Sequence, residues 1–228
     1  MEPSPTSRLV YEKTITSKGV LRLLWDQYLK NSVADMEYFY DVFEGSSVTA
    51  SACGELFELR MHQLLRWGYF LKLFPLALGR AASPKNDFYS DYSTSHKQQR
   101  LQSYWLIASE EHPLREGIQL EINHYYRPGK NFPSIDSLLL IHPEGDKPPI
   151  LLMFQITRNK EKHDVKPSDL ERVRGLGLPE GTREYYVVVT PLGREPKIEV
   201  PKGYFGGVEV FHHPVDRDSL FSPGAVKK

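Results

Sequence analysis

An α/β fold with a mixed central β-sheet flanked by helices follows from three features of this sequence. Helical patterning fills the first part of the chain, short apolar strands fill the rest, and one helical segment interrupts them before the last two strands. The segment 184–190, Glu-Tyr-Tyr-Val-Val-Val-Thr, is apolar on both faces, as a central strand covered on both sides should be. The 228 residues are 40% hydrophobic and 25% charged, a globular composition with enough chain to bury a core without disulfides.

Residues 1–12 read as a poorly ordered lead-in. Ser17 is placed to cap a helix over about 18–30, with Val20, Leu21, Leu24, Trp25 and Tyr28 on one face. Ser32 and Asp35 form a loose capping box for a short helix that ends near Phe43. A third helix spans about 50–67, striped by Phe57, Met61, Leu64 and Leu65, and Gly68 ends it. Strands are expected at Tyr69–Pro75, 100–108, 118–126, 134–142, 149–157, 184–191 and 207–212, with an exposed loop over 80–97. A crossover helix near 167–175 opens with Pro167-Ser168-Asp169, and the tail after Pro214 reads as irregular. Residues 1–48 are thus a helical lead-in, and 49–228 form one domain.

The formal net charge is zero, which argues against a chain basic over its whole surface but leaves room for a local basic groove. The single cysteine, Cys53, excludes an intramolecular disulfide and a cysteine-based metal site. A reducing, intracellular compartment fits it best. Met1-Glu2-Pro3-Ser4-Pro5 lacks the apolar run of a signal peptide. No stretch approaches the roughly 18 apolar residues of a membrane span, so a soluble chain is expected.

The chemistry concentrates in one hairpin. Asp136 stands near the start of the strand Ser134–His142, the turn Pro143–Pro148 follows, and Ile150–Thr157 returns. A symmetric turn sets Asp136 opposite Gln155, with Thr157 on the same face. A carboxylate among Ile and Leu side chains needs a partner. Asp136 and Gln155 either hydrogen-bond each other or a nearby backbone group, or they form a hard-metal site, since magnesium takes oxygen ligands and keeps several waters.

An acid on a first helix, P-x-x-D opening a strand and a short acid-x-lysine motif on the next strand characterise the PD-(D/E)XK nuclease superfamily. This sequence resembles it through Glu58, Pro133-Ser134-Ile135-Asp136 and Gln155-Ile156-Thr157. More closely, it resembles the restriction-endonuclease-like domain of Crinkler effectors and retrotransposon hot spot proteins. Gly54-Glu55-Leu56-Phe57-Glu58, Tyr125-Tyr126-Arg127-Pro128, Phe132-Pro133-Ser134-Ile135-Asp136-Ser137, and Phe154-Gln155-Ile156-Thr157 with His163 carry that likeness.

The resemblance implies a restriction-endonuclease-like core behind N-terminal helices. It further implies Mg²⁺ or Mn²⁺ held by Glu58, Asp136 and Gln155, and hydrolysis of DNA. Gln155 replaces the second acid and Thr157 the lysine that would activate water and stabilise phosphate charge. Arg158, Lys160, Lys162 and His163 are the candidate substitutes. Arg127 and Lys130, before the Asp136 strand, and Arg158 and Lys162, in a basic stretch over 158–174 that also includes Lys160, Lys166, Arg172 and Arg174, are expected to hold the nucleic-acid backbone; exposed loop charges and a solvated helix face are the bland alternatives. Glu55 is the alternative acid to Glu58, and His62 reads as a helix-surface histidine. Tyr125 and Tyr126 read as core residues with base stacking as the alternative, and the His212-His213 pair as incidental.

In that family the nuclease-like domain often follows a P-loop ATPase. No G-x-x-x-x-G-K-[ST] occurs here, so the expectation is the nuclease-like part alone, partnered by DNA and by an ATPase domain, another protein or a second copy. The nucleus, or a host cell for a secreted effector, is the implied destination. A competing class is an inactive nuclease-fold module that binds nucleic acid or protein. A third is a purely structural domain that docks through its N-terminal helices.

Overall fold

The computed structural model describes residues 50–76, 102–106, 111–115, 117–128, 132–158, 163–194, 198–201 and 208–221, with residues 23, 27, 37, 38, 40, 41, 44, 88, 89, 108 and 196. The helices expected over 18–30 and 32–43 lie largely outside this set. Leu23, Gln27, Glu37, Tyr38, Tyr40, Asp41 and Glu44 within it are helical.

The chain divides into two compact units, residues 1–61 with 217–228, and residues 62–216. The division falls inside a helix, and the C-terminal segment groups with the first unit. There, helix α1 (Ala50–Trp67) buries Cys53, Leu56, Phe57 and Met61 at helical spacing. The tail after Pro214, expected to be irregular, instead ends in a short helix from Arg217 to Phe221. Arg60 Nε donates to the Leu220 carbonyl at 2.8 Å. Arg217 reaches the carboxylates of Glu37 and Asp41. These ties hold the short helix Arg217–Phe221 to its helical neighbours in the same unit.

The second unit is built on an eight-stranded mixed sheet. Its strands in chain order are β1 (Tyr69–Pro75), β3 (Gln102–Leu106), β4 (Glu111–Pro113), β5 (Tyr125–Arg127), β6 (Ser137–Ile141), β7 (Ile150–Ile156), β9 (Arg183–Pro191) and β11 (Val208–Val215), in the spatial order β3-β1-β11-β9-β7-β6-β5-β4. A small second sheet joins β2 (Phe88–Tyr89), β10 (Ile198–Pro201) and β8 (His163–Asp164). The α/β class with a mixed sheet is therefore as the sequence predicts. β9 is central, parallel to both neighbours, β11 and β7, and its Tyr185–Thr190 stretch is buried. Helix α2 (Pro167–Arg174) places Leu170 and Val173 in the core formed with Leu138, Leu151, Met153 and Tyr186. Among the described residues no helix is long and apolar enough to cross a membrane.

Two strand expectations shift for local reasons. The strand read at 118–126 shrinks to Tyr125–Arg127, because Asn123 takes a left-handed conformation at φ 61 and turns the chain. β11 runs past Pro214, although proline cannot donate to a ladder. Leu76 N donates to the Val210 carbonyl, and Phe74 lies opposite His212. The same phase sets Lys72 opposite Pro214, where a backbone N–H is missing. The ring of His213 replaces it, donating from Nδ1 to the Lys72 carbonyl at 2.8 Å.

Candidate functional site

The β6–β7 ladder runs from Ile141 opposite Ile150 to Ser137 opposite Phe154. Beyond that end the side chains of Asp136 and Gln155, the next residue on each strand, meet through a hydrogen bond. Gly145, in the turn between β6 and β7, has φ 80, a conformation glycine adopts without strain. Asp136 N donates to the carbonyl of Phe154 at 2.8 Å, the residue already opposite Ser137, so the pairing steps out of the ladder's phase at Asp136. Thr157 N donates to the Val189 carbonyl at 2.9 Å, and strand alternation keeps Thr157 on the Gln155 side.

The carboxylate of Asp136 is held by its neighbours. Its Oδ2 accepts from Gln155 Nε2 at 2.9 Å and from Ile156 N at 2.6 Å. Charge-assisted bonds of this length are the stronger kind. Gln155 is 7% exposed, so this pair sits at the edge of the core.

Behind the pair runs a network that the sequence did not reveal. Tyr186 OH donates to the Ser134 carbonyl at 2.6 Å and lies 3.5 Å from Gln155 Oε1. Ser134 donates twice to Asp169 Oδ2, from its backbone N at 2.9 Å and its hydroxyl at 2.6 Å. Lys166 N donates to the Ser134 hydroxyl oxygen at 3.2 Å. Asp169 is 1% exposed, and its Oδ1 has no hydrogen-bond partner. Asp169 sits in the first turn of α2, yet no side chain caps that helix; the acid serves the tertiary contact instead. The only sequence signal was composition, an aspartate three residues into a helix, which ordinarily reads as dipole compensation.

Glu58 is half-buried on α1 in the first unit, whereas Asp136 and Gln155 belong to the second. Lys130, Lys160 and Lys162 lie outside the described residues. The backbone of His163 pairs with Ile198 in the small sheet. Arg158 is buried at 8% exposure, which corrects its expected place on an exposed phosphate-binding surface; its carbonyl accepts from Arg194 Nη1 at 2.5 Å. Arg127 approaches Glu111 at 3.9 Å, and Arg66 reaches the same carboxylate at 3.1 Å. Of the basic stretch, Lys166, Arg172 and Arg174 are exposed. Arg174 pairs with Glu184 at 3.4 Å, and Arg172 lies over the Phe132 ring.

His62 is buried rather than on the helix surface, sharing a 2.5 Å hydrogen bond with Tyr125 OH. Tyr125 and Tyr126 are core residues, as expected. Burial raises the Tyr125 phenol well above its ordinary value. His212 Nε2 and Thr190 Oγ1 are 2.9 Å apart. The Thr190 hydroxyl donates to the Arg194 carbonyl at 2.7 Å, so the ring nitrogen is the donor to Thr190.

The donor chemistry at Asp136 and Gln155 is oxygen-based and suits a hard cation such as magnesium. The amide faces the carboxylate with its N–H end, however, so a cation needs that amide turned over. Among the described residues no group of three or more His, Cys, Asp and Glu side chains is placed to hold a metal. No family model, curated protein or solved structure matches this chain.

Proposed function

We propose that this chain is a nuclease-fold domain of the Crinkler-effector type that cleaves DNA phosphodiesters with Mg²⁺ or Mn²⁺ at Asp136 and Gln155. The observation that carries the reading is the side-chain pairing of Asp136 with Gln155 at the carboxyl end of β7, with Thr157 just past the strand. β7, β9 and β11 are mutually parallel, and ligands of open α/β sheets bind outside such carboxyl ends. A bound divalent cation supplies polarisation of the phosphate and a water of lowered pKa. Asp136 provides the negative charge that retains the cation. Gln155 provides a neutral oxygen once its amide is turned, and the Thr157 hydroxyl orients water or phosphate where the superfamily has lysine. The domain's DNA partner, its nuclear or host-cell destination and its pairing with an ATPase domain or second copy belong to the same proposal.

The test is cleavage of plasmid DNA with Mg²⁺ or Mn²⁺ by the wild type and by Asp136→Ala. Metal-dependent cutting by the wild type alone is expected. Equal cutting by both proteins rejects the assigned site.

A second reading has its own support. Asp136 already receives two N–H donors, and Thr157 cannot supply a positive charge. Both features fit a nuclease fold that binds nucleic acid or a protein without cutting. Retention of DNA in gel-shift assays, with no cleavage under any divalent cation, selects this reading.

A further inference from the structure

β3 is the edge strand of the eight-stranded sheet and pairs with β1, where Phe70 lies opposite Trp105 and Lys72 opposite Ser103. Side chains alternate along each strand, so Phe70, Lys72, Phe74, Ser103 and Trp105 share one face. Leu71, Leu73 and Leu106 turn the other way and are fully buried. The outward face keeps rings that the core does not claim. Trp105 is 54% exposed, and its ring centroid stands 6.4 Å from that of Phe70, with the planes inclined by 38°. Its indole lies beside Gly68, where a Cβ would stand 3.9 Å from Cζ2, and Trp67, the residue before, is 65% exposed. The ammonium of exposed Lys72 lies 5.9 Å from the centre of the Phe70 ring, a cation–π distance that keeps the charge beside the rings. No acid stands among the five side chains of the face.

We propose that this face is a platform for single-stranded nucleic acid, with bases stacked on Trp105 and Phe70 and an adjoining phosphate paired with Lys72. Exposed rings beside a cation hold unpaired bases without regard to sequence, because every base has a π-face. A positive charge with no acid beside it favours an anionic partner over a second copy, which would bring the same lysine to a twofold contact. One lysine is too little for an anionic lipid surface, which takes a cluster of cations. The inference rests on the nucleic-acid reading of the domain and deepens it by naming unpaired strands; it uses neither Asp136 nor a metal.

The test is fluorescence anisotropy of a labelled oligothymidylate titrated with the full chain in EDTA, for the wild type, Trp105→Ala, Trp105→Phe and Lys72→Gln. The wild type should bind. Trp105→Ala should weaken binding about tenfold, the worth of one stacked base, and Trp105→Phe should keep most of the affinity. Lys72→Gln should weaken binding and lower the slope of log affinity against log salt by about 0.7, the share of one phosphate on a single strand. Trp105 and Lys72 are exposed, so these changes leave the core intact, which circular dichroism verifies. Equal affinity of the wild type and Trp105→Ala overturns the inference, as does equal affinity for a duplex of the same length. Competition by polyglutamate as effective as by the oligonucleotide also overturns it, and so does a dimer, seen by sedimentation, that Trp105→Ala dissociates. Binding with the expected losses but no plasmid cleavage supports the platform and rejects the cutting. Plasmid cleavage by a chain that does not bind oligothymidylate overturns the platform alone.

Discussion

Lowering the pH should unfasten β1 from β11 through His213. Its ring is 3% exposed, donates from Nδ1 to the Lys72 carbonyl, and receives the Tyr69 hydroxyl at Nε2, 3.0 Å away. Burial pushes the imidazole down from 6.5 to about 4; the bond to Lys72 and the charge of Asp216 act in the opposite direction and are outweighed. The unfolded chain therefore takes up a proton near pH 6.5 that the folded chain refuses until about pH 4. Stability from this group is complete above pH 6.5 and falls as the pH is lowered toward 4. At about 1.4 kcal/mol per unit the loss amounts to about 3 kcal/mol. The assay is urea unfolding between pH 4 and 7.5 for the wild type and His213→Gln, which can still donate to Lys72 but does not titrate. Other carboxylates titrate in both proteins, so the difference between the two curves isolates His213. That difference should shrink by about 3 kcal/mol across the window. A difference that stays constant with pH refutes the buried neutral imidazole and its role in replacing the N–H of Pro214.

Removing the Asp169 carboxylate by Asp169→Ala strands both Ser134 donors in the core. The cost should be about 3 kcal/mol in urea unfolding, since bonds to a charged group are the costly ones to break, and a loss below about 1 kcal/mol would show that Ser134 re-pairs. Gly68 sits at φ 110 between α1 and β1, with room for a Cβ 3.7 Å from the Leu106 carbonyl. Gly68→Ala should therefore cost about 1–3 kcal/mol from backbone strain, read as a lowered thermal midpoint with the fold unchanged by circular dichroism.

The sequence was most legible where one local rule decided the outcome. Helical periodicity and Gly68 placed α1 correctly at Ala50–Trp67. The length of the turn around Gly145 was enough to set the β6–β7 register from Ile141 opposite Ile150 to Ser137 opposite Phe154, because an antiparallel hairpin has few registers. Doubly apolar patterning marked β9 as central. The network behind the hairpin was not legible, because it depends on a parallel register. Met153 lies opposite Tyr186 only because β9 returns beside β7 after the crossover, and nothing in a crossover of that length states where it lands. Asp169 was hidden for the same reason: its partner is 35 residues away, and its place near a helix start already had a sufficient local explanation. His213 was dismissed because paired histidines carry no pattern, although the proline that follows was the clue.

The charge at the β6–β7 corner also constrains how a nucleic acid can approach it. Asp136 is an acid whose Oδ2 accepts two neutral N–H donors, which stabilise its carboxylate. A phosphate brought against it alone meets like charge in a partly buried setting, where repulsion is weakly screened. On the cation reading, a divalent ion reverses the sign of that interaction. Binding without metal has to use another surface, and the exposed cations of α2, Arg172 and Arg174, with Lys166 before it, are the nearest in sequence to the network. The two proposed readings therefore differ in salt behaviour as well as in cleavage. Metal-independent binding through those side chains weakens steeply with salt, by roughly one factor of ten in affinity per tenfold salt for each phosphate neutralised. A complex that forms only with Mg²⁺ or Mn²⁺, and that Asp136→Ala abolishes, belongs to the corner instead.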